Sequence, residues 1–320
     1  MLIAADVGGT KTSIAIIDDE KNIIKKETHL NENFENFDEF FENFVGEYEI
    51  EHIGLGLATP IFDNKKINLT NSNWKIDIDR LKHKYNAKVY CINDLYAAAH
   101  YINHLSKNDL RRIYERNNDN NLSQTKLIVS IGTGVGLAHY TKNFDINASE
   151  GGHIGFTPYS NFHKDLFNYI NNKEIHVSYE MIISSIGFKN LRDYLSEINN
   201  LGLSENFVDK LKKSNEVGKL IFEKSKDIND DGNICRMIIE EISFSVGSYL
   251  ADLALLFLPQ EIYLTGGIGR NIIDEKSIMK GYFRDKKHLK ITEDINLDIV
   301  KNPDLALYGV IQYLFKFLNM

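Results

Sequence analysis

The sequence predicts an α/β protein built from two copies of one design, with a ligand cleft between the copies. Three observations carry that expectation. Strand-like and helix-like patterns alternate between Leu2 and Ala99. Two strand–turn–strand hairpins, each tipped with glycine and threonine, begin at Leu2 and Lys126, with Gly8 and Gly134 lying 126 residues apart. The chain has 320 residues, and at roughly 150 residues per domain that is enough for two.

The elements follow in order. Leu2–Val7 reads as a buried strand, Gly8-Gly9-Thr10 as a tight turn, Thr12–Ile17 as the hairpin partner and Ile23–Thr28 as a third strand. Phe34, Phe37, Phe41 and Phe44 then recur at helical spacing, predicting a helix with a buried aromatic face that stops at Gly46. Ile53–Ala58 and Lys88–Ile92 are strands, the second running into a helical pattern at Leu95–Ala99. Lys107–Gln124 is polar and lacks apolar periodicity after Ile113, so it reads as a surface connection between halves. The design then restarts with strand Lys126–Ile131, turn Gly132–Gly136 and return strand Leu137–Tyr140. The later elements read as mostly helical: Tyr179–Tyr194, a variable-looking stretch over Ser204–Asn233 that matches none of the family's motifs, and Ile242–Phe257, a strongly apolar helix stopped by Pro259. Glu261–Thr265 is a strand broken by Gly266-Gly267-Ile268-Gly269. The apolar helical face Leu305–Leu318 is expected to dock on a neighbouring sheet.

Composition narrows the class of function. The chain is 43% hydrophobic and 26% charged, the profile of a globular protein, and its net charge of −8 provides no basic footprint for nucleic acid. Two cysteines, Cys91 and Cys235, cannot form a disulfide framework or a cysteine-based zinc site. A reducing, cytoplasmic compartment and oxygen ligands for any metal follow as expectations. No basic amino-terminal region or long apolar run predicts a signal peptide or membrane span.

Glycine-rich turns at strand ends bring backbone N–H groups close to phosphate, and threonine adds a hydroxyl donor. One such turn is weak evidence, and the P-loop string is absent. Two of them, with Asp6 inside the first strand, point to a nucleotide and a hydrated Mg²⁺. Asp6 also fits a buried residue tied to its turn. Asp94 closes the strand Lys88–Ile92 and opens a helix, a position that suits either a ligand-facing carboxylate or an N-cap. Glu150-Gly-Gly-His153 and Glu180 are polar positions that, taken singly, fit structural or solvated roles as well as binding ones.

Read together, these segments resemble the bacterial-type glucokinase family of the actin-like sugar kinase and ATPase superfamily. The resemblance rests on Asp6-Val-Gly-Gly-Thr10, Thr59-Pro60 with Leu69-Thr-Asn71 and Asn73-Trp74, Ile92-Asn-Asp94, Gly132-Thr-Gly-Val-Gly136, Glu150-Gly-Gly-His153 with Phe156 and Pro158, His176-Val-Ser-Tyr-Glu180 and Thr265-Gly-Gly-Ile268. It implies a duplicated actin-like, ribonuclease H-like fold. A small domain would span 1–104 plus 302–320 and a large one 105–301, with glucose in the cleft. It further implies an ATP-dependent hexokinase in which Asn93 and Asp94 bind the sugar, Asp94 is the general base on the 6-hydroxyl, and Glu150, His153 and Glu180 bind the other hydroxyls. Asp6 with Mg²⁺, Gly8, Gly9, Thr10, Gly132, Thr133 and Gly134 would serve the phosphates, and Gly266 and Gly267 the adenosine. A homodimer is implied as well.

Two departures stand out. Lys11 follows Thr10 where this family's turn usually continues with asparagine, as it does in the related repressor–kinase–open-reading-frame sugar kinases. The cysteine-rich zinc motif of that second group is missing, which favours the first family. Tyr179 is bulkier than the small residue expected before Glu180, and either narrows the sugar pocket or points into the core. The competing expectations are a kinase for mannose, glucosamine or N-acetylglucosamine, a polyphosphate donor, and a non-catalytic sugar-responsive regulator. The last is disfavoured by the retention of Asp94 and by a phosphate hairpin that begins within the first ten residues.

Overall fold

The computed structural model describes residues 1–59, 61, 65–69, 73–117, 124–141 and 145–318. Pro60, Thr70 and Asn71 of the family-like segments lie outside the described residues. The chain divides into two compact units: Met1–Ser106 with Ile146–Ala148 and Asp304–Met320, and Lys107–Asp145 with Ser149–Pro303.

In the first unit, β1 (Leu2–Val7), β2 (Lys11–Ile17) and β3 (Ile23–Leu30) form an antiparallel meander. Helix α1 (Phe37–Val45) and β4 (His52–Leu57) follow, then a small hairpin of β5 (Lys66–Asn68) and β6 (Lys75–Asp77), and α2 (Ile78–Tyr85). Strand β7 (Lys88–Asn93) leads into α3 (Asp94–Tyr101). The sheet order is β3-β2-β1-β4-β7, with β1, β4 and β7 parallel. Because side chains alternate along a strand, β1 feeds two cores. Ile3, Ala5 and Val7 meet Phe37, Phe40, Phe41, Phe44 and Trp74, while Leu2 and Ala4 meet Ala97 of α3 and Leu307, Val310 and Leu314 of the C-terminal helix (Leu305–Phe317). Burying each of those rings contributes about 1.5–3 kcal/mol. The final helix thus docks on the first sheet, as its apolar face predicts. Phe34 lies outside α1 and reaches the same core from the preceding turn, edge-on to Phe40 at 5.2 Å.

The second unit repeats the plan. Its elements are β8 (Leu110–Tyr114), β9 (Lys126–Ile131), β10 (Val135–Tyr140), the last residue of β11 (Ile146–Ser149, whose first three residues belong to the first unit), α4 (Asn161–Asn171), α5 (Glu180–Ile183), α6 (Ser185–Glu197), α7 (Glu205–Lys213), α8 (Val217–Lys224), α9 (Asp230–Phe257), β12 (Glu261–Thr265), α10 (Gly267–Asn271), α11 (Glu275–Tyr282), α12 (Leu289–Glu293) and β13 (Asn296–Val300). Strand order runs β10-β9-β12-β13-β8, again an antiparallel glycine-tipped hairpin beside two parallel strands. This shared topology is the duplication that the two hairpins predict.

Two expectations are corrected. The segment read as a surface connection contains β8, an edge strand antiparallel to β13. It looks like loop because its arginines face outward, yet Arg112 Nε donates to the buried Asp298 carboxylate at 2.6 Å. Residues 118–123 of that segment lie outside the described residues. The helix expected over Tyr179–Tyr194 is two helices, since the Ser184 hydroxyl accepts from Ile186 N and Gly187 N and caps α6 as a new start. The variable stretch from Ser204 is helical as expected, holding α7, α8 and the beginning of α9.

Candidate active site

In the first unit the parallel strands bring their carboxyl ends into line, with Asp6 paired to Gly56 and Leu57 to Asn93. In open α/β sheets this is where ligands bind. The cap of α3 is Asn93, whose Oδ1 accepts from Leu95 N and Tyr96 N at 3.0 Å each. The capping role considered for Asp94 therefore belongs to its neighbour. Asp94 opens the helix, and its own Oδ1 accepts from Leu95 N at 2.8 Å, which orients the carboxylate.

Asp6 lies near Asp94 and Asp304. Desolvation first, then the Asp94 charge, push its carboxyl up to about 7, with Lys11 opposing and Asp304 adding to the rise. Asp304, just ahead of the C-terminal helix, accepts from Ser13 Oγ at 3.2 Å and from Lys26 Nζ. Sequence reasoning missed this residue. An Asp before an apolar helix was a visible start signal, but its approach to residue 6 is long-range.

The first hairpin tip is held by its own backbone and by Asn31. Gly8 N donates to Lys11 O, Asn31 Nδ2 to Gly8 O at 2.9 Å, and Asn31 N to Thr10 O. Thr12 Oγ1 fixes Asn31 by donating to its Oδ1. The tip's carbonyls are thereby occupied, and the donors it presents are the N–H groups of Gly9 and Thr10 and the exposed Thr10 hydroxyl. Asn31, also missed, is the residue that shapes this turn.

In the second unit, Gly132, Thr133 and Gly134 form the turn between β9 and β10, and Gly266 and Gly267 follow β12, the parallel neighbour of β9. The two turns therefore lie side by side at strand carboxyl ends, with a Cβ built on Gly132 3.9 Å from Gly267 N. Gly266 has φ +85°, and a Cβ there would stand 2.3 Å from Ile131 O, so glycine is required.

Glu150, His153 and Glu180 come together. His153 Nε2 is 3.8 Å from Glu150 Oε2, and His153 Nδ1 is 4.0 Å from Glu180 Oε1. Glu150 and His153 are exposed; Glu180 is mostly covered, and its Oε2 accepts from Val135 N at 2.8 Å. A short bridge between Gly155 and Ser178, with Phe156 N donating to Val177 O, ties the two segments together. Tyr179 points into the core, where its hydroxyl donates to Asp252 Oδ2 at 2.7 Å and Arg284 holds the other Asp252 oxygen.

Two carboxylates flanking an imidazole offer acceptors and a donor matched to a polyhydroxylated ring. A separate carboxylate at a helix start suits proton acceptance from a hydroxyl. The carboxylate of Asp6, with that of Asp94 near it, is the kind of oxygen donor that a Mg²⁺ keeping most of its water uses together with substrate phosphates. No helix among the described residues is long and apolar enough to cross a membrane.

Comparison with known proteins gives the same direction. The glucokinase of Helicobacter pylori strain J99 is 29% identical over 285 residues, covering 85% of this chain and 82% of that protein. A Balamuthia mandrillaris glucokinase solved with glucose superposes with a TM-score of 0.79 at 18% identity, over 98% of this chain and 93% of its own. A ROK family glucokinase from Streptomyces griseus, solved with glucose and AMPPNP, gives 0.66 at 17% identity over 98% of both chains. These two share its fold, the actin-like two-domain sugar kinase fold. The family model for glucokinase matches residues 3–316, nearly the whole chain, and the chain belongs to the glucokinase family.

Proposed function

We propose that this protein transfers the γ-phosphoryl group of ATP to the 6-hydroxyl of glucose, with Asp94 as the general base. The observation that carries the reading is the placement of Asp94, a carboxylate oriented by Leu95 N at the carboxyl end of a parallel sheet, beside Asp6. Family membership and the glucose and AMPPNP complexes of the structural neighbours supply the substrate pair.

In this reading Asn93 and Asp94 meet the sugar near its reactive hydroxyl, and Glu150, His153 and Glu180 accept from and donate to the remaining hydroxyls. A sugar with one hydroxyl misplaced leaves a buried polar group unpaired, which is the basis of discrimination. Gly9, Thr10 and the Gly132–Gly134 turn present donors to the phosphates, while Gly266 and Gly267 give the adenosine a close backbone approach. Asp6 would help hold a Mg²⁺, which would supply charge neutralisation on the transferring group. Asp94 accepts the 6-hydroxyl proton as the oxygen attacks. The two compact units are taken as the small and large domains of such a kinase, working in the cytoplasm as a homodimer, a state that sedimentation at micromolar concentration tests directly.

Asp94→Asn keeps the shape and removes the base, so kcat should fall by about 10²–10⁴ while glucose binding largely persists. Unchanged turnover refutes the assignment. A coupled assay over glucose, mannose, glucosamine and N-acetylglucosamine with ATP and polyphosphate fixes acceptor and donor. Glucose binding without any ADP release would instead mark a sugar-responsive regulator.

A further inference from the structure

The contacts of Glu180 extend past the sugar cluster. Its Oε2 accepts from Val135 N, the first residue after the second glycine turn, at 2.8 Å. A Cβ on Gly134 would stand 2.4 Å from that same oxygen, so the absence of a side chain at 134 is what admits the carboxylate. Ser185 N donates to Gly132 O and Ile186 N to Thr133 O, so the start of α6 grips the turn from the same segment. Ser184 Oγ donates to Glu180 O at 2.6 Å, closing that segment on itself. The Glu150–His153 turn leans on the same residue, because a Cβ on Gly152 would lie 2.2 Å from Val135 O. Val135 therefore sits against both sugar-binding segments, and the glycine turn has little freedom to move apart from them.

We infer that Glu180 is also a positioning residue for the nucleotide turn, so that glucose and nucleotide bind this unit with positive coupling. The inference rests on the reading of Glu180 as a sugar ligand. Its physical basis is that Val135 is buried and its N–H has one charged acceptor. A charge-assisted bond of this kind is among the stronger ones in a protein, and losing it leaves a buried donor unsatisfied. A sugar that holds Glu180 in place removes ordering that the nucleotide would otherwise have to supply, and by linkage the nucleotide does the same for the sugar.

The test measures affinity for AMPPNP with Mg²⁺, with and without saturating glucose, by titration calorimetry on the full chain. The unaltered protein should bind the nucleotide about 5–20-fold more tightly with glucose, within the usual span of coupling between sites. Glu180→Ala should weaken nucleotide binding about tenfold even without sugar, and abolish the coupling. Glu180→Gln offers Val135 N a carbonyl acceptor, so it should hold sugar-free nucleotide affinity within about twofold while weakening glucose. Gly134→Ala, which displaces the carboxylate without touching its chemistry, should lower glucose affinity and coupling together. If Glu180→Ala weakens glucose but leaves nucleotide affinity at the unaltered value, the coupling is overturned and the sugar role stands. If Glu180→Ala leaves glucose affinity intact, the sugar role itself fails and the inference falls with it. Cooperative thermal unfolding of each variant shows that the fold is kept.

Discussion

His100 should make this protein acid-labile at its candidate site. It lies on α3 between the rings of Tyr96 and Tyr313, with centroids 5.1 and 5.3 Å away, and its Nε2 is buried without a hydrogen-bond partner among the described residues. Desolvation, and then the charge of Lys316, hold its imidazole down to about 4 from an ordinary 6.5. The unfolded chain takes up this proton near pH 6.5 and the folded chain only near 4. Between those values the unfolded state binds more protons, so stability is fully present above 6.5 and is lost as the pH falls through 4. The 2.5-unit gap at 1.36 kcal/mol per unit amounts to about 3 kcal/mol, a large share of the 5–15 kcal/mol typical of a domain. The helices forced apart would be α3, which begins at Asp94, and the C-terminal helix, which begins just after Asp304. Urea unfolding of the unaltered protein and His100→Gln at intervals from pH 8 to 4 provides the assay. The stability difference should change by about 1.4 kcal/mol per pH unit in favour of the variant below 6.5, and the variant should keep activity to lower pH. Parallel stability curves for the two proteins would refute the reasoning.

Two adjacent glycines should behave oppositely. Gly266→Ala forces a Cβ to within 2.3 Å of Ile131 O at φ +85° and should cost about 3 kcal/mol or more, read as a lowered Tm. Gly267→Ala meets nothing within 4 Å and should leave Tm within a few degrees, so a raised KM for ATP in that variant would report the adenosine contact alone. Tyr179→Phe removes the hydroxyl from Asp252 and should cost about 1–2 kcal/mol by urea unfolding. Because that side chain is buried in the core, the ranking of hexoses by kcat/KM should not move; a changed ranking would place it in the sugar pocket.

What was legible in the sequence was local. Both hairpins carry near-continuous apolar runs around a glycine turn within about sixteen positions, and the α1 phenylalanines announce their own buried face. Partnerships made by distant residues left no such mark. Strand β8 reads as loop because its stabilising contact, Arg112 to Asp298, spans 186 residues. Asn93 and Asp94 are equally good caps by composition, and only backbone geometry gives the cap to Asn93 and frees Asp94 from that task. Tyr179 fits two readings in the sequence, and its bond to Asp252, 73 residues on in the chain, settles it in the core. The same holds for the candidate site: Asp6, Asp94, Glu150, His153 and Glu180 were found as motifs, whereas Asn31 and Asp304 act through three-dimensional proximity that no motif encodes.

Lys11 gains a physical account from this geometry. Burial first, then the charge of Asp94 and to a smaller extent that of Asp304, raise the carboxyl of Asp6 to about 7. Lys11 is the opposing charge acting on Asp6, and its own side chain is exposed. In a chain of net charge −8, a nucleotide with several negative charges approaching such a site meets an unfavourable field unless counter-charge is brought in. On the proposed function, backbone N–H groups would supply part of it and a divalent cation the larger part. On the same reading a lysine at the tip would add to it, because an exposed ammonium on a flexible stem contributes its field at little desolvation cost. The departure at position 11 is therefore consistent with phosphoryl-transfer chemistry and compensates for the acidic surroundings that the third carboxylate, Asp304, makes more severe.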